Sequence, residues 1–281
     1  MSAPATVGRT TITGPLAGVE LVIDRAGAGD AAPVVWIHGE LGHLDGFGSA
    51  PLGPTLTSAG EVLAMHLPGW GVATGVERFD RLDDLAMALW WALDRSASGQ
   101  RNVVLAGHGL GAALAAEMAV QQPGRTHGLL LAAPFGMFRT DEPGLDLFGT
   151  MPADMMASLY GDPTGEVAMR HFPKPIDAHA RGLSAIRRVE TLGASSRFIF
   201  PIPDTGITAR LYRVADVPTT LVFGSGDGLV PVSLAADWSR ALPHARVVVV
   251  DGAGHMLPYE TDDVEREAAA LAAAPPSTVT G

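Results

Sequence analysis

Short apolar runs alternate with amphipathic helical patterns along most of this chain. The runs that fit strands are Val19–Ile23, Val34–His38, Glu61–Leu67, Asn102–Ala106, Gly128–Ala133, Thr219–Phe223 and Ala245–Val250. Apolar residues recur at helical spacing over Leu82–Asp94, Leu110–Gln121, Pro231–Ala241 and Asp263–Ala273. This alternation predicts an α/β fold, in which helices cover both faces of a mostly parallel sheet. Val34–Ile37 and Val247–Val250 are apolar throughout, which predicts strands buried on both faces.

One long segment, from Gly136 to about Asp204, interrupts the alternation. It contains no clear strand but many Met, Phe and Pro residues. An insertion of this length between two strands of a sheet is typical of a functional lid. The sequence therefore predicts an α/β core of residues 1–135 and 205–281 and a helical lid of residues 136–204. Most apolar lid residues are expected to pack among themselves, and some are expected to enclose an apolar pocket.

Composition excludes several classes of partner and site. The formal net charge of −11 opposes binding to nucleic acid or to an anionic membrane. The absence of cysteine excludes disulfides, thiolate metal sites and a cysteine nucleophile. The first residues lack the pattern of a secretory signal. We therefore expect a cytoplasmic protein that acts on a small molecule, and the sequence allows a homodimer.

A glycine-rich turn follows the strand run Asn102–Ala106 and leads directly into a helix. It reads Gly107-His108-Gly109-Leu110-Gly111. The turn resembles the nucleophile elbow G-x-S-x-G of the α/β-hydrolase superfamily, in the same strand-turn-helix setting. The third position of that motif carries the nucleophile, which is Ser in most members and Asp in epoxide hydrolases and haloalkane dehalogenases. Here that position is Gly109, which has no side chain.

The same turn also matches the dinucleotide-binding fingerprint G-x-G-x-x-G/A through Gly107, Gly109 and Ala112. That fingerprint requires an acidic residue about twenty positions further on. The next strand run ends in Leu131-Ala132-Ala133-Pro134-Phe135 and offers no acid. The fingerprint also normally follows the first strand of its domain, whereas this turn follows the fourth. Both points favour the elbow interpretation.

Three further segments match the superfamily in its expected chain order. His38-Gly39-Glu40 resembles the H-G-x motif, which implies that Glu40 and Leu110 supply the N–H groups of an oxyanion hole. The segment around Asp227 resembles the acid loop, and the segment around His255 resembles the histidine loop. The resemblance is to lid-bearing members such as meta-cleavage-product hydrolases and epoxide hydrolases. It implies the α/β-hydrolase fold, with an eight-stranded-type sheet and an Asp227–His255 pair.

The resemblance also suggests which residues contact a substrate. These candidates either flank the motifs or lie in the lid. They are His38, Gly39, His108, Met137, Phe138, Met155 and Met256. The Met and Phe content of the lid favours an apolar or aromatic substrate. No motif for a metal or an organic cofactor is present, so we expect none.

Three hypotheses remain open for an elbow without a nucleophile. The first is an enzyme without a covalent serine step, in which Asp227–His255 acts as a general base on a water or substrate atom in the space left by Gly109. Its substrate would be an ester, a lactone or a molecule with a scissile C–C or C–O bond, and its reaction would be a hydrolysis, a lyase step or an isomerisation. The second is a serine hydrolase whose nucleophile was replaced, and the third is a non-catalytic binding protein. Exposure statistics favour a Glu40 carboxylate that points to solvent. An inward carboxylate would instead act as a second acid or base.

Overall fold

An eight-stranded sheet spans the part of the chain that the computed structural model describes, which is residues 8–42, 54–96 and 102–275. Its strands are β1 Gly8–Thr13, β2 Glu20–Ala26, β3 Val34–Ile37, β4 Val62–His66, β5 Val103–His108, β6 Thr126–Ala132, β7 Thr219–Gly224 and β8 Arg246–Val250. Their spatial order is β1-β2-β4-β3-β5-β6-β7-β8. The strands from β3 to β8 are mutually parallel, whereas β2 pairs antiparallel with β1 and β4. The predicted α/β class and mostly parallel sheet are confirmed.

The two edge strands differ from the sequence prediction. Strand β1 was not predicted, because only Ile12 of its six residues is buried and its polar pattern carries little signal. Strand β8 was expected to be buried on both faces, which is wrong. Val247 is 39% exposed and Val249 is 50% exposed. The reason is that β8 is the last strand of the sheet and pairs on one side only, with β7.

Helices cover the sheet on both sides, and apolar residues of the helices and central strands form one core. The helices are α1 Pro54–Ala59, α2 Leu82–Asp94, α3 Leu110–Gln121, α4 Pro152–Leu159, α5 Glu166–His171, α6 Ala178–Ile199, α7 Leu234–Ala241, α8 Leu257–Glu260 and α9 Asp263–Ala273. The bounds of α2, α3 and α9 are those predicted from helical periodicity. Helix α7 begins three residues later than predicted, at Leu234. None of the helices in the described ranges is long and apolar enough to cross a membrane.

The segment between β6 and β7 contains α4, α5 and α6. Helix α6 begins where the Asp177 side chain accepts a hydrogen bond from the Ala180 N–H group at 2.7 Å, which caps the helix. Its C-terminal half reaches the core, where Ala194, Ser195 and Ile199 are buried. Much of its N-terminal half is exposed. The division into a core and a lid at residues 136–204 remains a prediction.

The candidate functional residues all lie just beyond the carboxyl ends of parallel strands. Glu40 follows β3, Gly109 follows β5, Asp227 follows β7 and His255 follows β8. In a parallel sheet these ends lie at the same edge, which is where α/β proteins place their ligand sites. The topology therefore brings four segments that are distant in sequence to one place.

Candidate active site

The turn between β5 and α3 has the sharp geometry of a nucleophile elbow. Gly109 has φ +53° and ψ −116°, a conformation that side-chain-bearing residues rarely adopt. Gly111 lies against the carbonyl groups of Ile37 and His38, and a Cβ atom there would collide with both. This close approach places the N–H group of Leu110, the first residue of α3, beside the loop that follows β3.

The carboxylate of Glu40 points into the site, so the expectation that it faces solvent is wrong. Its side chain is completely buried. Glu40 Oε2 accepts a hydrogen bond from Leu110 N at 3.3 Å, and the backbone N–H group of Glu40 itself helps to lower the pKa of the carboxyl group. A Cβ atom built on Gly109 would collide with Glu40 Oε2. The glycine therefore makes room for this carboxylate, which fills the space that the sequence analysis reserved for a water or substrate atom.

His255 lies between two carboxylates. Its Nδ1 atom is 2.9 Å from Asp227 Oδ2, and its Nε2 atom is 3.0 Å from Glu40 Oε1. The other oxygen of Asp227, Oδ1, accepts hydrogen bonds from the N–H groups of Leu229 and Val230, both at 2.8 Å. These backbone bonds fix the orientation of the Asp227 carboxylate, and Asp227 in turn fixes the imidazole ring.

The charges in this cluster compensate one another. Burial lowers the pKa of His255, but the carboxylates of Asp227 and Glu40 have the opposite and larger effect, so that the pKa rises to about 10. Burial likewise raises the pKa of Glu40, but the charge and hydrogen bond of His255 bring it down to about 2. At neutral pH the site therefore holds a Glu40 carboxylate and an imidazolium. His255 can donate a proton from Nε2 but cannot accept one until Glu40 loses its charge.

Two other predicted residues, His38 and His108, support the backbone around the site. His38 Nδ1 donates to the Gly39 carbonyl at 2.8 Å, and Nε2 accepts from Leu67 N at 3.1 Å. His108 Nε2 donates to the His255 carbonyl at 2.9 Å. Burial lowers the pKa of His38 to about 3 and, together with the charge of His255, the pKa of His108 to about 4. Both rings are therefore neutral hydrogen-bonding elements of the scaffold.

The backbone of Glu40 is held from two directions. Its carbonyl oxygen accepts hydrogen bonds from Trp70 Nε1 at 2.8 Å and from Ser195 Oγ at 2.7 Å. Ser195 is fully buried and belongs to α6. Neither residue was predicted to belong to the site, because Ser195 lies in no motif and the segment His66–Gly71, which contains Trp70, resembles only a structural turn of the superfamily. Through Ser195, the segment between β6 and β7 contacts the loop that carries Glu40.

The remaining substrate-binding candidates are dispersed around the site. Gly39 lies against His108, so a side chain there would press on Nδ1 of that ring. Met155 and Met256 are buried. Phe138 lines a cavity of about 180 Å³ next to the site, and it lines a second, more open cavity together with Met137. Sequence reasoning missed Phe135, whose ring centre is 5.8 Å from that of His255.

The described part of the chain contains no group of three or more His, Cys, Asp or Glu side chains arranged to hold a metal ion. The site combines an ionised Glu40 carboxylate next to the Leu110 N–H group, a His255 imidazolium in contact with it and the Asp227 carboxylate, which orients the imidazole.

Sequence comparison finds relatives at low identity, among them an esterase and an acetyltransferase component. The chain is similar to a pimeloyl-(acyl-carrier protein) methyl ester esterase of Neisseria meningitidis, with 26% identity over 216 residues, which are 72% of this chain and 64% of that protein. It is also similar to the dihydrolipoyllysine-residue acetyltransferase component of an acetoin cleaving system of Pseudomonas putida, with 27% identity over 83% of this chain and 61% of that protein. The chain thus spans less than two thirds of the length of both relatives.

Structure comparison agrees on the fold. The haloalkane dehalogenase DbeA of Bradyrhizobium elkani superposes with a TM-score of 0.69 and 20% identity, covering 95% of this chain and 97% of that one. At this identity the likeness shows the fold alone. A family model described as the alpha/beta hydrolase family matches residues 34–273, which include all four segments of the site. The chain therefore belongs to the alpha/beta hydrolase family.

Proposed function

We propose that this protein is a hydrolase in which the Glu40 carboxylate replaces the nucleophile missing from the elbow. The main support for this proposal is the position of the Glu40 carboxylate. It lies over Gly109, contacts the Leu110 N–H group and is 3.0 Å from His255 Nε2. An elbow nucleophile would occupy the same position, so the loop after β3 supplies the group that the elbow lacks.

The charge state suits a carboxylate that attacks carbon. Glu40 is ionised at neutral pH, with a pKa of about 2. His255 is protonated, with a pKa of about 10, and directs a proton towards the attack site. In a first step, Glu40 attacks the electrophilic carbon of a substrate R–X and forms an ester to R. The R–X bond breaks, and the leaving group X takes the proton from His255 Nε2.

Ester formation changes the role of His255. It removes the negative charge of Glu40, which is one of the causes that raise the pKa of His255. The neutral imidazole, still oriented by Asp227, can then take a proton from water, whose hydroxide attacks the ester carbonyl. The backbone N–H groups of Glu40 and Leu110 are placed to stabilise the oxyanion that forms. Collapse of this intermediate releases R–OH and restores the Glu40 carboxylate and the imidazolium. The net reaction is R–X + H₂O → R–OH + HX.

This proposal modifies the first of the three hypotheses from the sequence. No serine step is involved, and Asp227–His255 still acts as a general base, but only after Glu40 has been esterified. The substrate remains an uncharged apolar or aromatic small molecule with a scissile C–O or similar bond. The similarity to a methyl ester esterase supports hydrolysis in general, although the chain covers 64% of that relative.

The test is isotopic. Wild-type protein would be incubated in H₂¹⁸O with styrene oxide, 1-bromohexane and 1-chlorobutane, and the peptide containing Glu40 would be analysed by mass spectrometry. We expect turnover of at least one substrate and ¹⁸O in the Glu40 carboxylate. Glu40→Gln should abolish turnover, and His255→Gln should accumulate a covalent ester on Glu40. Absence of turnover with all three substrates, or turnover without label on Glu40, would contradict the proposal.

A second candidate function, that of a non-catalytic binding protein, is favoured by one observation. The side chains of Glu40 and His255 are both fully buried, and their charges are mutually satisfied. Such a closed ion pair would also be a stable end state without chemistry. The isotopic experiment separates the two candidates, because a binding protein would leave Glu40 unlabelled with every substrate.

A further inference from the structure

A mainly apolar cavity of about 180 Å³ is lined by Phe135, whose ring also neighbours His255 of the buried triad that His255 forms with Glu40 and Asp227. Its wall combines three phenylalanines with aliphatic and proline side chains. Phe135, Phe138, Phe148, Leu145, Ile199 and Leu229 contribute to it. An enclosed apolar cavity of about 150 Å³ can hold a benzene molecule, so a volume of about 180 Å³ is large enough for one aromatic ring with a small substituent.

The charges around the cavity disfavour an anionic ligand. Among the described residues that line it, none is Lys, Arg or His, and Asp146 is the only charged one. Asp146 Oδ1 already accepts hydrogen bonds from the N–H groups of Phe148 and Gly149, at 2.9 and 3.1 Å. The neighbouring triad contains two carboxylates and one imidazolium, so its net charge is also negative. A carboxylate or phosphate would therefore lose its hydration without gaining a cationic partner.

Phe135 separates the cavity from the triad. Its ring lines the cavity and also lies 5.8 Å, centre to centre, from the ring of His255. Its N–H group donates to the Gly109 carbonyl at 3.2 Å, which ties it to the elbow. Two residues earlier, Ala133 has φ +43°, the only non-glycine residue with positive φ in the described ranges. Such a conformation persists only where the surrounding structure imposes it, and the Ala133 N–H group is held by a hydrogen bond to the Val222 carbonyl at 2.8 Å.

We infer that this cavity binds the uncharged, single-ring or short-alkyl part of a substrate, and that Phe135 determines how large that part can be. The role of the cavity in catalysis rests on the proposed function, whereas ligand binding in the cavity can be tested separately. The binding itself requires no turnover. Phe135 is a specificity-determining residue in this view, because removal of its ring would join the cavity to the space around His255.

Ligand binding can be measured by ¹⁹F NMR with defined probes. We expect 4-fluorotoluene to bind saturably to the full-length protein and 4-fluorobenzoate, its anionic counterpart, to bind at least ten-fold more weakly. Leu145→Trp fills the cavity and should weaken 4-fluorotoluene binding at least ten-fold. Val247→Trp, on the exposed edge strand, is the matched control and should leave binding unchanged. Equal binding of the two probes, absence of saturable binding, or an unaffected Leu145→Trp variant would overturn the inference.

Further variants keep the test decisive if the Trp substitution fails to fold. Phe135→Ala should bind 1-fluoronaphthalene at least ten-fold more tightly than wild type, and an unchanged affinity would refute the role of Phe135. Glu40→Gln should retain 4-fluorotoluene binding, because Glu40 does not line the cavity. Binding that persists while the Glu40 labelling experiment fails would refute the proposed function alone. Labelling of Glu40 without probe binding would refute the cavity inference alone.

Discussion

The structure predicts that a serine cannot simply be restored at the elbow while Glu40 is present. In Gly109→Ser the new Cβ atom would collide with Glu40 Oε2. The carboxylate would have to leave its hydrogen bonds to Leu110 N and His255 Nε2. The φ angle of +53° adds backbone strain for any residue other than glycine.

The magnitude follows from these two contributions. Strain at such a backbone position costs roughly 1–3 kcal/mol. Loss of a buried hydrogen bond that involves a charged group costs roughly 1.5–3 kcal/mol. The strain and the loss of both hydrogen bonds together are therefore expected to make Gly109→Ser lower the free energy of unfolding by at least about 4 kcal/mol. Gly71→Ser is the matched control, because Gly71 has φ +78° but nothing lies within 4 Å of its Cβ position. It should show the backbone contribution alone, about 1–2 kcal/mol.

A compensating change should relieve the collision. Glu40→Ala removes the carboxylate, and the Cβ position of residue 109 is then 3.3 Å from His255 Nε2, within reach of a serine hydroxyl. In a double-mutant cycle measured by urea unfolding, we expect the two substitutions together to cost at least about 1.5 kcal/mol less than their sum. Esterase activity on 4-nitrophenyl butyrate is expected in the double variant only. The reasoning would be refuted if Gly109→Ser cost no more than Gly71→Ser, or if the two substitutions were additive.

Other measurements probe the charge and support of the same site. The pKa of His255 is raised from 6.5 to about 10, so the stabilisation that it contributes is complete below pH 6.5 and is lost as the pH rises through 10. Urea unfolding of the wild-type protein should show this decline in the free energy of unfolding, and Glu40→Gln should make the decline smaller. The pKa of Glu40 is lowered from 4.5 to about 2, so its contribution to the free energy of unfolding is present above pH 4.5 and is lost as the pH falls towards 2. A wild-type free energy of unfolding that does not change between pH 4.5 and 2 would contradict this ion pair. Ser195→Ala should lower the free energy of unfolding by about 1 kcal/mol, because the Glu40 carbonyl keeps its bond from Trp70, and a loss of several kcal/mol would show a larger role for α6. A fluorophosphonate probe should leave wild-type protein unlabelled in intact-mass analysis, whereas labelling would reveal a nucleophilic hydroxyl that the site lacks.

Local sequence patterns predicted most of the sheet and helices. The buried strands β3 to β7 are apolar runs bounded by turns, and helices α2, α3 and α9 show clear helical periodicity. The edge strands were harder to predict, because the burial of their side chains depends on whether another strand or helix lies next to them. Val247 and Val249 have the composition of a central strand but lie at the sheet boundary. The hydrophobic pattern of a strand indicates that its residues favour burial, but it does not indicate where the strand lies in the sheet.

The order of the four motifs along the chain was enough to indicate the fold and to place Glu40, Gly109, Asp227 and His255 at one edge of the sheet. It was not enough to determine where the carboxylate of Glu40 points. General exposure statistics favoured solvent, because an isolated acid is rarely buried. The tertiary structure reverses that preference, since the imidazolium of His255 and two backbone N–H groups compensate the buried charge.

Local motifs and their order along the chain were sufficient to predict that an acid, an imidazole and an elbow without a nucleophile belong to one α/β-hydrolase site. The folded chain was needed to show that Glu40 occupies the space above the elbow, that Ser195 supports the Glu40 carbonyl and that Phe135 borders the site. The physical reason is that side-chain direction and charge state depend on partners that are far away in sequence. Glu40 and His255 lie 215 positions apart, and their contact exists only once the sheet brings the ends of β3 and β8 to the same edge.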